Sequence, residues 1–197
     1  MKKASFGTLR IIGGQWRSRK VHFPTVSGLR PTADRVRETL FNWLDPVIKD
    51  STCIDLYAGS GALGLEALSR GAKYVTFVEQ DPLALTHIEK YLAQFQAIDQ
   101  AKVIQAYVPK SPLRLREKVD IAFIDPPFNQ GLVESTCQWL IEQDLLNPEA
   151  YIYIEAEAKL SPLPIPSNWE IFRSKKAGNV GYHLLRISSE NATPPLL

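Results

Sequence analysis

The sequence predicts an α/β fold built on a mostly parallel sheet, and three observations predict it. From Thr52 onward, short apolar strands alternate with helical segments, the pattern of repeated strand–helix–strand units. The strand Cys53-Ile54-Asp55-Leu56-Tyr57 runs into Ala58-Gly59-Ser60-Gly61-Ala62-Leu63-Gly64, a glycine-rich turn that opens a helix. The run Val119-Asp120-Ile121-Ala122-Phe123-Ile124 is apolar, β-branched and aromatic, as a strand buried on both faces should be. It stops at Asp125-Pro126-Pro127-Phe128, where two prolines remove two backbone donors in succession.

Taken in order, Leu9–Ile12 and Arg19–Phe23 read as short strands joined through Gly13-Gly14-Gln15-Trp16-Arg17, a small β appendage with a cationic and aromatic tip. Pro24 to Pro31 is a turn-rich connector. Thr32 is expected to cap a helix running to about Leu44, in which Val36, Leu40, Trp43 and Leu44 share one face and Arg35 and Glu38 the other. After the glycine turn, a helix over Leu63–Ser69 ends at Arg70-Gly71, and Tyr74–Glu79 is the next strand. Pro82 opens a helix to about Gln96 with Leu85, Ile88, Leu92 and Phe95 on its buried face. Lys102–Ala106 is a short strand. Pro109 and Pro112 forbid a long helix between Tyr107 and Arg116. A helix from Leu132 to about Leu145 and a strand Ala150–Glu155 follow. Pro162, Pro164 and Pro166 mark an extended linker, and Trp169–Ser174 and Tyr182–Ile187 form a final strand pair around Lys175-Lys176-Ala177-Gly178-Asn179. The predicted organisation is a basic β-hairpin extension over 1–30, one α/β domain over 31–188 and a flexible tail over 189–197.

The 197 residues, 45% of them hydrophobic, suffice for one full core, and no apolar run approaches the ~20 residues of a membrane span. No signal peptide follows Met1, so the expected location is cytoplasmic, without membrane association. Cys53 and Cys137 are far apart and in apolar surroundings, and read as buried thiols in a reducing compartment. His22, His87 and His183 lack ligand spacing, so no metal site is expected.

The net charge of +2 conceals a segregation. Residues 1–40 hold nine basic residues against two acidic ones, +7, leaving −5 on the rest. A basic arm on a mildly acidic body fits a polyanionic partner, because its cations neutralise phosphates and release counterions. The candidate nucleic-acid contacts are Arg10, Trp16, Arg17, Arg19, Lys20, Arg30 and Arg35, with Lys175 and Lys176 of the final hairpin. Trp16 between Arg17 and Arg19 is placed to stack on a base, unless it packs on the body.

Glu79 ends its strand eighteen residues beyond Gly61, about where an acid grips the ribose hydroxyls of an adenosine-containing cofactor. A nicotinamide enzyme and an S-adenosylmethionine (SAM) methyltransferase both fit that signal. Asp55 beside the loop would repel a pyrophosphate and favour the ammonium of a methionine moiety. Asp125 accepts hydrogen bonds from an amine, the proline carbonyls add acceptors, and Phe128 offers a ring face. That turn suits a planar ring carrying an NH2 group and supplies no hydride site. The methyltransferase reading is the better one. The candidate cofactor-binding residues are Asp55, Ala58, Gly59, Ser60, Gly61, Gly64, Glu79, Gln80, Tyr107 and Asp125, and the candidate catalytic residues are Asp125, Pro126, Pro127 and Phe128.

Two long stretches carry a family resemblance. Arg30-Pro31-Thr32-Ala33-Asp34-Arg35-Val36-Arg37-Glu38-Thr39-Leu40-Phe41-Asn42-Trp43-Leu44 and the stretch from Asp55 to Gly71 closely resemble the bacterial 16S rRNA guanine-N2 methyltransferases, and Lys176–Tyr182 extends the match almost to the end. The resemblance implies a Rossmann-like, SAM-binding fold with a seven-stranded sheet, a C-terminal antiparallel hairpin and an N-terminal β extension. It implies one guanine of 16S rRNA as acceptor, read within the 30S subunit or its precursor, by a monomer. Where that family carries a polar residue followed by Ala after the third strand, this chain has Tyr107-Val108, so the cofactor adenine is expected to be held there by backbone groups or by ring stacking of Tyr107. The alternative acceptor is adenine or cytosine in DNA, or a glutamine side chain.

Overall fold

The computed structural model describes residues 6–24 and 33–188. Arg30, the expected cap Thr32 and the expected tail over 189–197 lie outside the described residues. Two strands, β1 (Phe6–Arg10) and β2 (Lys20–Pro24), pair antiparallel as a separate hairpin. Helix α1 spans Asp34–Ile48, starting after Ala33 and passing Leu44 by one turn despite Pro46. The extension follows the stripe Val36, Leu40, Leu44, Ile48, spaced by four residues and buried throughout. Arg37 also lies in that buried face, fully enclosed.

The main sheet contains β3 (Thr52–Asp55), β4 (Tyr74–Glu79), β5 (Ala101–Gln105), β6 (Val119–Ile124), β7 (Leu146–Glu157), β8 (Trp169–Ala177) and β9 (Val180–Ile187). Their order is β5-β4-β3-β6-β7-β9-β8. The five strands from β5 to β7 are parallel, and β9 and β8 add an antiparallel edge. This is the expected α/β architecture of seven strands. Helices α2 (Ala62–Ser69) and α3 (Pro82–Gln94) follow β3 and β4, and α4 (Leu132–Glu142) follows β6. Helix α4 ends three residues before Leu145, which turns inward and is buried while its carbonyl accepts from Val119 N at 2.9 Å. Residues 107–116 hold no helix or strand, as their prolines require.

The sheet separates two cores. Cys53, Phe77, Phe123, Tyr153, Tyr182 and Leu184 pack with α1, α2, α3 and the hairpin residues Leu9, Ile11, Trp16, Val21 and Phe23. Ile54, Val78, Ile124, Ile154 and Leu185 pack on the other side with Cys137 and Leu140 of α4. The hairpin is therefore part of the main core and not a loose appendage. No helix among the described residues is long and apolar enough to cross a membrane.

Candidate active site

The carboxyl ends of parallel strands form the edge at which ligands bind in open α/β sheets, and the register aligns the acids there. Phe77 pairs with Asp55, Asp55 with Phe123 and Phe123 with Tyr153. Two residues further on, Glu79, Asp125 and Glu155 stand at one level, and strand alternation puts all three on the α1–α2 face. Gln105 pairs with Glu79 at one end of this row, and Tyr182 pairs with Glu155 and with Lys175 at the other.

The glycine turn and the row are built as one piece. Gly59 and Gly61 have φ of 51° and 75°, a left-handed backbone that glycine adopts without a Cβ clash. Glu79 Oε2 accepts from Gly59 N at 2.9 Å, while Oε1 accepts from Gln80 N at 2.8 Å and Asp81 N at 3.0 Å. Three of about four carboxylate lone-pair sites are thus taken, leaving one on Oε2 for a ligand hydroxyl. A two-bond grip on a diol is more than this carboxylate has free. Gly64 must be glycine because a Cβ there would stand 2.2 Å from the Phe77 ring.

Asp55 lies beneath the loop, not on its surface: it is 2% exposed and its Oδ2 accepts from Gly64 N at 3.0 Å. Burial pushes its carboxyl up to about 7, with the nearby Glu79 charge adding to the rise and the Gly64 bond opposing it. A cation at the loop would draw out its proton. Ala58, Ser60 and Gly61 are buried in the turn, and Gln80 is exposed beside it. Tyr107 is 49% exposed, with the Lys110 ammonium 5.1 Å from its ring centre.

Across β3 stands the second half of the site. Asp125 is half-buried, Pro126 buried, Pro127 exposed and Phe128 half-buried. Behind the turn a cavity of about 230 Å³ opens between Pro126, Pro127, the start of α4 and Glu157. Tyr153 donates its hydroxyl to Glu155 Oε2 at 2.9 Å, and its phenol is held well above the ordinary value by burial and by the charges of Glu155 and Asp125. Trp43 of α1 stacks on Tyr182, ring centres 5.5 Å apart. Tyr153, Glu155 and Tyr182 were not among the sequence candidates. Glu155 carried the missed signal: like Glu79 and Asp125, it is an acid near the carboxyl end of an apolar strand.

The basic arm needs two corrections. Trp16 is 5% exposed and stacks on Phe95 at 4.7 Å between centres, so it packs on the body and cannot receive a base. An indole has more to gain from burial than from a solvated hairpin tip. Arg37, counted in the basic segment, is fully buried against Asp34 (2.6 Å) and Glu66 (3.6 Å). Its charge is internal. Arg10, Arg17, Arg19, Lys20 and Arg35 are exposed, as are Lys175 and Lys176. Ser69 Oγ donates to Gly13 O at 2.6 Å and accepts from Trp16 N at 3.0 Å. The hairpin tip therefore docks at the end of α2 opposite the glycine turn.

The sequence model described as Conserved hypothetical protein 95 matches residues 9–186. The ribosomal RNA small subunit methyltransferase D of Escherichia coli is 48% identical over 178 residues, 90% of this chain and 89% of that one. This chain belongs to that methyltransferase family. The Haemophilus influenzae member is 46% identical over 182 residues, 90% of this chain and 93% of that one. The solved Escherichia coli structure yhhF superposes with a TM-score of 0.84 at 46% identity, covering 93% of this chain and all of that chain. A Thermus thermophilus 16S rRNA N2 methyltransferase, solved with AdoMet and guanosine, shares the fold at a TM-score of 0.66 and 20% identity, over 94% of this chain and 50% of that one. Membership makes the protein a methyltransferase.

Proposed function

We propose that this methyltransferase moves the methyl group of SAM to the exocyclic N2 of a guanine in small-subunit rRNA. The observation that carries the reading is the alignment of Glu79, bonded into the glycine turn, with Asp125 of the Pro-Pro turn across one strand. The names of its relatives support rRNA of the small subunit as the acceptor class.

The residues fit SAM: backbone Gly59–Gly61 permits close approach, Glu79 retains a lone pair for a ribose hydroxyl, and Asp55 supplies a negative charge under an ammonium. SAM brings a methyl group on a sulfonium, already activated for transfer. Gln80 and Tyr107 flank the position for its adenosine, and Tyr107 presents an exposed ring for stacking.

The acceptor is the harder partner. The lone pair of guanine N2 is delocalised into the ring, and the nitrogen attacks only when it pyramidalises. Asp125 and the Pro126 carbonyl accept its two hydrogens, which holds the nitrogen in near-attack geometry. Phe128 stacks on the base after it leaves its own stack, at a cost of a few kcal/mol. Asp125 is also placed to take the proton that the methylated amine releases. Neither cysteine takes part: Cys53 and Cys137 are buried, and burial pushes both thiols up to about 12. Exposed cations of the first hairpin, with Arg35, Lys175 and Lys176, hold RNA phosphates. The working context is a monomer acting in the cytoplasm on the 30S subunit or its precursor.

The experiment is incubation with methyl-labelled SAM, naked 16S rRNA and small subunits from cells lacking the activity, followed by digestion to nucleosides. Label in N2-methylguanosine is expected. Label in adenine, cytosine or protein, or none, overturns the acceptor assignment.

A further inference from the structure

The sheet's outer edge carries a surface for which the core offers no explanation. Among the described residues strand β8 has a single neighbour, β9, and every residue from Glu170 to Lys176 is exposed. At a register shift between Ile171 and Arg173, two large apolar side chains are exposed, Ile171 49% and Phe172 40%. The Phe172 ring meets Tyr151 edge-on at 6.2 Å. Over it lie two guanidinium groups, Arg173 at 4.2 Å and Arg186 at 5.9 Å from the ring centre. Arg173, Lys175, Lys176 and Arg186 bring four cations to this hairpin, against Glu170 on β8, and among the described residues none of the four is in an ion pair. Lys175 lies in the same cross-strand row as Glu155, so the cationic edge begins at the acceptor end of the site and runs away from it along β8.

We propose that Phe172, with Arg173 and Arg186, is a stacking platform for an unpaired nucleotide of the RNA substrate outside the methylation site. An exposed ring among four cations that outnumber the single acid Glu170, the cross-strand partner of Arg186, is the combination that binds single-stranded RNA, the ring taking a base face and the cations its phosphates. A second copy of this chain is disfavoured on the same surface, because pairing two such edges would bring like charges together. The proposal rests on the RNA acceptor reading above, and it assigns to Phe172 the stacking role that the burial of Trp16 leaves open.

The test uses the full chain and a short, fluorescently end-labelled single-stranded RNA of mixed sequence. Phe172→Leu keeps an apolar cover over Tyr151 and removes the π face. Its expected effect is a loss of RNA affinity of roughly 5- to 150-fold, the equivalent of ~1–3 kcal/mol per stacked base, with the salt slope, SAM affinity and urea midpoint unchanged. Arg173→Gln with Arg186→Gln lowers the salt slope by about 1.4. Unchanged RNA affinity in Phe172→Leu overturns the platform, as does sedimentation showing a dimer that Phe172→Leu dissolves. The two readings fail separately: N2-methylguanosine formed with undiminished RNA binding by Phe172→Leu refutes the platform alone. A platform effect with no N2-methylguanosine refutes the acceptor assignment alone.

Discussion

The two antiparallel hairpins, β1–β2 and β8–β9, carry similar residues and put them to opposite uses. Each has an aromatic ring among arginines and lysines. In β1–β2 the ring is Trp16, buried on Phe95, and the hairpin is locked to α2 by a buried carboxylate. Glu66 accepts from Ile12 N and Gly13 N at 2.8 Å each and from Arg70 Nε at 2.8 Å. A Cβ on Gly14 would stand 1.7 Å from Ser69 O, so the fit is to the backbone itself. In β8–β9 the ring is Phe172, left in solvent with its cations. An aromatic–basic cluster in a sequence does not by itself say which outcome follows; a neighbouring surface with acceptors and donors at matching height decides it. In this molecule α2 provides that surface for the first hairpin, and β8, as an edge strand, has none.

The comparison breaks most readily at Glu66. Glu66→Ala takes one of the two carboxylates from the buried Arg37, removes the partner of Arg70 and frees two backbone donors, and a loss of about 3–5 kcal/mol in urea unfolding is expected. A loss under 1 kcal/mol would mean that the hairpin is not locked. Trp16→Ala should cost about 3–5 kcal/mol by the same measurement, whereas Phe172→Ala should stay within about 0.5. Equal costs would erase the distinction between the two rings. Neutralising Arg17, Arg19 and Lys20 together should lower the salt slope of RNA binding by roughly 2 without moving the urea midpoint. An unchanged slope would make these cations an ordinary solvated face.

A further effect concerns pH. The Asp55 carboxyl is raised to about 7 in the fold, above its unfolded value of ~4, so the folded state binds the extra proton. The stability it contributes is complete below pH ~4 and is lost as the pH rises through about 7. Asp55→Asn should flatten that decline in thermal scans of the SAM-free protein, and an identical decline in the variant would assign it to other groups.

Much of the site was legible in the sequence because its signals are local. The glycine turn, Glu79 and the Pro-Pro turn each follow from residue types at fixed spacing along one strand end. What stayed hidden depends on partners distant in sequence. Arg37 reads as one more basic residue until Glu66 lies beside it, and Trp16 reads as exposed until α2 and α3 are folded beneath it. Glu155 was visible as an acid near a strand end, but its place in the row follows from register, which no single strand specifies. Helix α1 outran its expected end because a four-residue burial stripe outweighed Pro46.

The most direct measurement of the central claim is made on Asp125→Ala: the SAM dissociation constant by calorimetry, and methyl transfer to small-subunit RNA under saturating SAM. A SAM affinity within a few-fold of the parent and transfer reduced by at least 10²–10⁴-fold are expected of a group proposed both to grip the amine and to take its proton. Transfer at the parental rate would contradict that role, and so would a SAM affinity that collapses together with the rate.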